Sequence, residues 1–92
     1  MEFAWGDRRH RTNKQKHGVS FETASLVFED LYHLTRQDRE VDGEPRWQAI
    51  GMVNGIHILL VAHTLDQDEE TIRIFPARKA TRRERSTYTR ST

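Results

Sequence analysis

Arg46-Trp47-Gln48-Ala49-Ile50-Gly51-Met52-Val53-Asn54-Gly55-Ile56-His57-Ile58-Leu59-Leu60-Val61-Ala62-His63-Thr64 is the stretch that decides the fold. Two apolar, β-branched-rich runs flank an Asn-Gly pair. That dipeptide tolerates positive φ at both positions, so it is the strongest short signal for a hairpin with a type I′ turn. A two-residue loop predicts Val53 opposite Ile56 and, at the far end, Arg46 opposite His63. One face of the pair then carries Trp47, Ala49, Gly51, Val53, Ile56, Ile58, Leu60 and Ala62. It is wholly apolar and is expected to pack against the core. The other face carries Arg46, Gln48, Ile50, Met52, His57, Leu59, Val61 and His63.

The next run, Glu70–Phe75, also alternates, with Ile72 and Ile74 on one side and Thr71, Arg73 and Phe75 on the other. A loop over 65–69 predicts His63 opposite Thr71 and Val61 opposite Arg73. Burial of the two isoleucines then brings Arg46, Gln48, His63 and Arg73 together on the open face of three adjacent strands. Neighbours on such a face lie roughly 5–8 Å apart. One imidazole between two guanidinium groups has chemical potential, although an ordinary solvated sheet face is also polar.

Outward from this meander the signals are local. Phe3 and Trp5 alternate with small residues and predict a short first strand. Asp7 is placed to cap a helix over 8–16, which contains no aliphatic residue and so cannot be held by an apolar stripe of its own. Gly18 is its expected left-handed terminator, with Val19 beyond it. Ser20 is an N-cap for a second helix whose Phe21, Ala24, Leu26 or Val27, and Phe28 form an apolar face. Leu31–Arg36 reads as a strand, and the polar run from Gln37 to Pro45, which contains an Asp-Gly pair, as a loop. Pro76 is expected to end the third strand of the meander. Thr81-Arg82-Arg83-Glu84 has capping-box spacing, so a last helix should start at Arg82. Two arginines in that first turn oppose the macrodipole, which suggests an anion docking there. The tail Thr89–Thr92 is expected to fray.

Charge is segregated along the chain. Residues 1–20 carry net +3, residues 21–70 net −8, and residues 71–92 net +6, although the whole chain is only +1. Basic ends that meet would make a surface suited to phosphates. Ninety-two residues suit a single domain spanning 1–92. No run of 18 apolar residues occurs, so a membrane span is not expected. An apolar leader is not seen either, and the cytoplasm is the expected compartment. There is no Cys, and the five His lack metal-ligand spacing, so neither a cofactor nor a metal site is expected.

The chain also resembles a known family. Phe3-Ala4-Trp5, Asn13-Lys14-Gln15-Lys16-His17-Gly18-Val19-Ser20-Phe21-Glu22, Glu44-Pro45-Arg46-Trp47, Val61-Ala62-His63-Thr64 and Ala77-Arg78-Lys79-Ala80-Thr81-Arg82-Arg83-Glu84-Arg85 are similar, in that order, to the pattern of the BrnT toxins. The resemblance implies an α+β, RelE-like fold, a small antiparallel sheet with helices packed on one face. It also implies a ribonuclease toxin of a type II toxin–antitoxin module that arrests translation. Its partner would be a BrnA-like ribbon-helix-helix antitoxin, with DNA touched only through the complex.

Metal-independent RNA cleavage needs an acid, a base and cations for the transition state. His63 is the expected acid/base, with His17 as the second candidate; Arg46 and Arg73 would bind the scissile phosphate. Lys16, Arg78, Lys79, Arg82 and Arg83 would hold flanking RNA. His10, His33 and His57 are expected at the surface. An acidic antitoxin segment laid over Arg78 and Arg82 would inhibit. Two other classes fit less well: a non-catalytic nucleic-acid-binding subunit, and a gyrase-targeting toxin on the same fold.

Overall fold

The computed structural model describes residues 1–91. The elements run β1 (Glu2–Ala4), α1 (Asp7–His17), α2 (Phe21–Ser25), a 3-10 turn (Leu26–Glu29), β2 (Leu34–Val41), β3 (Glu44–Val53), β4 (His57–Leu65), β5 (Thr71–Lys79) and α3 (Arg82–Arg90). The five strands form one sheet in the order β1-β5-β4-β3-β2, antiparallel except for the β1–β5 pair. This is the α+β class expected. The Thr92 end of the expected frayed tail lies outside the described residues, while Thr89 and Arg90 belong to α3.

Asn54 and Gly55 both adopt positive φ, as a type I′ turn requires, and the Ile56 N–H donates to the Val53 carbonyl. The ladder does not begin at Ile56, however. Val53 pairs with His57 and Trp47 with His63. Ile56 is one extra residue in the connection, and this corrects the expected register. A one-residue slip turns every side chain of a strand over. β3 keeps its expected orientation, whereas β4 is reversed: Leu59, Val61 and His63 face the core.

A second hairpin replaces the expected polar loop. β2 runs on to Val41, turns through Asp42-Gly43, both at positive φ, and returns at Glu44. Asp-Gly is itself a hairpin signal. The polar flanks hid the strand, because β2 is an edge strand with both faces largely exposed.

Pro76 does not end β5. Val61 pairs with Ala77 and His63 with Ile74, so Phe75 and Pro76 both fall opposite Ala62 in a bulge. A residue without an N–H is tolerated there. The bulge also explains how the aliphatic-free α1 is held. Buried Asn13 accepts the Ala77 N–H (3.0 Å) and donates to the carbonyls of Ala77 (2.9 Å) and Val19 (3.0 Å). Its amide takes the place of a strand partner for β5. Trp5, His10 and Phe21 add a ring cluster with centroids 5.4–6.1 Å apart.

The main core lies between the sheet and α1, α2 and the 3-10 turn. It comprises Phe21, Ala24 and Val27 against Ala49, Val53, Leu59, Val61, Ile72, Ile74 and Ala77. Gly51 permits this approach: a Cβ there would come within 2.9 Å of Val27 Cγ1 and 3.0 Å of the Val27 carbonyl. The first two helices therefore share one face, whereas the expectation that all the helices lie on it is corrected by α3. α3 packs on the other, where Tyr88 meets Ile50 and Leu60 in a second, smaller cluster.

Candidate functional site

α3 covers only the Ile50/Leu60 end of its sheet face, and the remainder is rich in arginine. Arg36 of β2 lies opposite Gln48 and donates from Nε to Gln48 Oε1 at 2.9 Å. Arg46 precedes Gln48 by two residues on β3 and so shares its face. Arg73 lies opposite Thr64, and Arg78 opposite Leu60. Four guanidinium groups thus approach one open sheet face.

They are held differently. Arg78 forms a two-pronged pair with Glu84, Nη1 to Oε1 at 2.7 Å and Nη2 to Oε2 at 3.0 Å. This bonding pulls the Glu84 carboxyl down to about 2 and raises the Arg78 guanidinium. Arg73 Nε is 3.5 Å from Asp66 Oδ1 at a half-exposed site. Arg46 stacks its Cζ 4.2 Å from the Phe75 ring centroid, and Arg9 of α1 approaches the same ring at 5.1 Å. The Arg46 Nε and the Thr64 hydroxyl are both sealed from solvent and have no hydrogen-bond partner among the described residues.

A second basic concavity, of about 400 Å³, runs along α1. Arg8, Arg9, Thr12, Lys16 and His17 line it, over Phe21 and Pro76. Phe75, between Arg9 and Arg46, joins the two basic surfaces.

The structure separates the four residues expected to form one catalytic cluster. Arg46 and Arg73 share the open face. His63 does not: it is 4% exposed, on the core side of the sheet, its ring edge-on to Phe28 at 4.9 Å. The extra residue Ile56 placed it there. Burial holds its imidazole below the ordinary histidine value, against the opposing pull of the Val61 carbonyl 3.2 Å from Nδ1. His17 sits half-buried in the α1 concavity. Of the expected RNA contacts, Lys16 is exposed in that concavity, and Lys79, Arg82 and Arg83 are exposed at the end of β5 and in the first turn of α3. Arg78 is engaged by Glu84. The same carboxylate accepts the Thr81 N–H at 2.8 Å, so it stands where an anion was expected to dock. His57 is exposed, but His10 and His33 are half-buried, His10 in the ring cluster and His33 against Phe28.

Residues 5–84 match the family model described as the ribonuclease toxin, BrnT, of a type II toxin–antitoxin system. The chain belongs to the BrnT family. Among solved structures it is similar to the Brucella abortus ribonuclease toxin BrnT. The two are 28% identical, the match covers 89% of this chain and 99% of that one, and the TM-score is 0.66. No curated protein matches the chain.

Two cations on these basic surfaces were not singled out from sequence, Arg36 and Arg9. Arg36 had a usable signal. Reading Asp42-Gly43 as a hairpin turn would have carried the ladder back to Arg36, but a regular ladder sets it opposite Ala49, and the bulge between Gln37 and Glu40 is what turns it to face Gln48. Arg9 had none, because its proximity to Phe75 depends on how Asn13 seats α1.

Proposed function

We propose that this chain is an endoribonuclease that receives the scissile phosphate on its arginine-bearing sheet face and so arrests translation. The observation that carries this is the group Arg36, Arg46, Arg73 and Arg78, in which four guanidinium groups meet two carboxylates, Glu84 on Arg78 and Asp66 on Arg73. As the ribose 2′-OH gives up its proton and its oxygen attacks the adjacent phosphorus, the bond to the 5′-oxygen breaks, that oxygen takes up a proton, a 2′,3′-cyclic phosphate is left, and negative charge builds on the phosphoryl oxygens on the way. Fixed guanidinium groups stabilise that charge and match its geometry. Arg46 and Arg73 are the transition-state contacts; Arg78 is a positioning residue, because Glu84 already takes its fork. Lys16, Lys79, Arg82 and Arg83 extend the cationic track for flanking RNA. The cytoplasm, where messenger RNA is translated, is the place of action. The partner is an antitoxin of the BrnA type, whose ribbon-helix-helix domain supplies any contact with DNA.

The test is cleavage of RNA by purified protein in EDTA. Arg46→Ala/Arg73→Ala should reduce the rate by about 10²–10³-fold, the scale of a lost charge-stabilising donor. Full activity in that variant overturns the sheet-face site.

One observation favours a second placing of the chemistry. The α1 concavity joins cations to an imidazole reachable from solvent, His17. If proton transfer occurs there, His17→Ala should lower cleavage by about 10²–10⁴-fold. His63→Leu should leave it intact so long as the protein folds.

A further inference from the structure

The acidic middle of the chain has produced no function so far, yet it carries the most conspicuous apolar exposure. Leu31 is 94% exposed, Tyr32 60% and Ile56 74%. Tyr32 lines a groove of about 390 Å³ between the 3-10 turn and the β3–β4 connection, and Leu31 and Ile56 directly follow its lining residues Asp30 and Gly55 in the chain. Leu26, Tyr32 and Met52 supply its apolar wall, and Glu29 and Asp30 its charge. Among the described residues no Lys or Arg lines it. Its formal charge is opposite in sign to that of the arginine-bearing sheet face, which disfavours nucleic-acid phosphates here. Nor is Asp30 free to lose its charge. Burial pushes its carboxyl up, but the Met52 N–H, the Tyr88 hydroxyl (2.5 Å) and the Tyr32 N–H outweigh this and hold it below the usual carboxylate range.

We infer that this groove is the docking site for the antitoxin, which inserts an amphipathic segment bearing Lys or Arg beside its apolar side chains. The inference rests on the reading of the chain as a toxin with a protein partner, and it adds where that partner sits. Charge complementarity selects the occupant. An apolar surface with only carboxylates around it favours a basic amphipathic helix over a second copy of this chain. In this chain the basic helix α1 has no aliphatic residue to offer. Apolar side chains supply affinity in such a contact, and the opposite charges supply orientation and on-rate. The site also leaves Arg82 and Arg83 uncovered, in contrast to an acidic segment laid over them.

The experiment co-expresses the tagged chain with the product of the adjoining reading frame. It measures complex formation by pull-down and titration, the mass of the free toxin by light scattering, and RNA cleavage in parallel. Leu31→Asp/Ile56→Asp changes two exposed side chains and should leave folding and cleavage unchanged. It should weaken the complex at least about 10-fold, because it removes the two large apolar side chains exposed beside the groove. Glu29→Lys should weaken it too, and parental binding should fall as salt rises. Parental affinity in the double variant overturns the groove as the docking site, even with cleavage and complex formation intact. Loss of binding in Arg82→Glu/Arg83→Glu but not in Leu31→Asp/Ile56→Asp assigns the partner to the basic face instead. A free toxin that is a dimer, and that the double variant makes monomeric, assigns the groove to a second copy. No complex with the parental chain removes the partner itself, while cleavage reports separately on the ribonuclease reading.

Discussion

Asn13 is the side chain on which the first helix hangs. Its three hydrogen bonds satisfy the Ala77 N–H and two carbonyls at a bulge where the sheet cannot do so. Asn13→Ala should therefore cost roughly 1–3 kcal/mol for each group left buried and unpaired, read as a shift in the urea midpoint. Asn13→Asp should be worse, because it faces two carbonyl oxygens with a third acceptor. His63 makes a different prediction. Its folded pKa lies below the ordinary value of 6.5, so the unfolded chain takes up the proton first. Its contribution is then fully present above about pH 6.5 and is lost as pH falls below that value. Unfolding curves at pH 8 and pH 5 should show a smaller acid loss for His63→Leu than for the parent. An equal loss in both would mean that His63 is not the sensitive group. The histidine was legible as a residue of interest. Its side of the sheet was not, because that depends on how one turn residue is accommodated.

At the scale of elements, the β3–β4 hairpin and α3 are the instructive cases. Ile56 is an insertion in an otherwise regular type I′ connection, and its side chain is exposed. Deleting it should leave His57 opposite Val53 across a two-residue loop, so the fold should survive with stability within about 1 kcal/mol of the parent. A large drop in melting temperature would show that the extra residue is needed for the register. α3 is fixed at its start by the Thr81/Glu84 capping box and the Arg78 pair, and along its length by Tyr88 against Ile50 and Leu60. The Glu84 carboxyl titrates near 2, against an ordinary 4.5. Its stabilising effect is present above about pH 4.5 and lost as pH falls toward 2. Glu84→Gln should remove that acid-dependent part, measurable as a flatter stability profile below pH 4.5. The capping box was readable from Thr81-Arg82-Arg83-Glu84. The partner Arg78 was not, because a strand end and a helix start had to be brought together first.

On the whole molecule, charge segregation becomes geometry: arginines on one sheet face and along α1, carboxylates with exposed apolar side chains around the groove at Asp30. Binding of single-stranded RNA should weaken with salt, with a log–log slope of about −0.7 per phosphate neutralised. Arg46→Ala/Arg73→Ala should make that slope shallower by about two such increments, while Glu29→Lys should not make it shallower. The linear chain displays the positions of α1 and α3, the turn at Asn54-Gly55, the buried Ile72 and Ile74, and the shared face of Arg46 and Arg73, because these depend on local preference and on the alternation of apolar residues. Folding alone settles that β4 is turned over, that Pro76 sits in a bulge bridged by Asn13, that β2 extends as a polar edge strand, and that α3 lies across the sheet from the other helices. Each depends on one residue more or less between paired strands, or on contacts between residues as distant as Asn13 and Ala77. The energy that selects among these alternatives arises only when the whole core is packed.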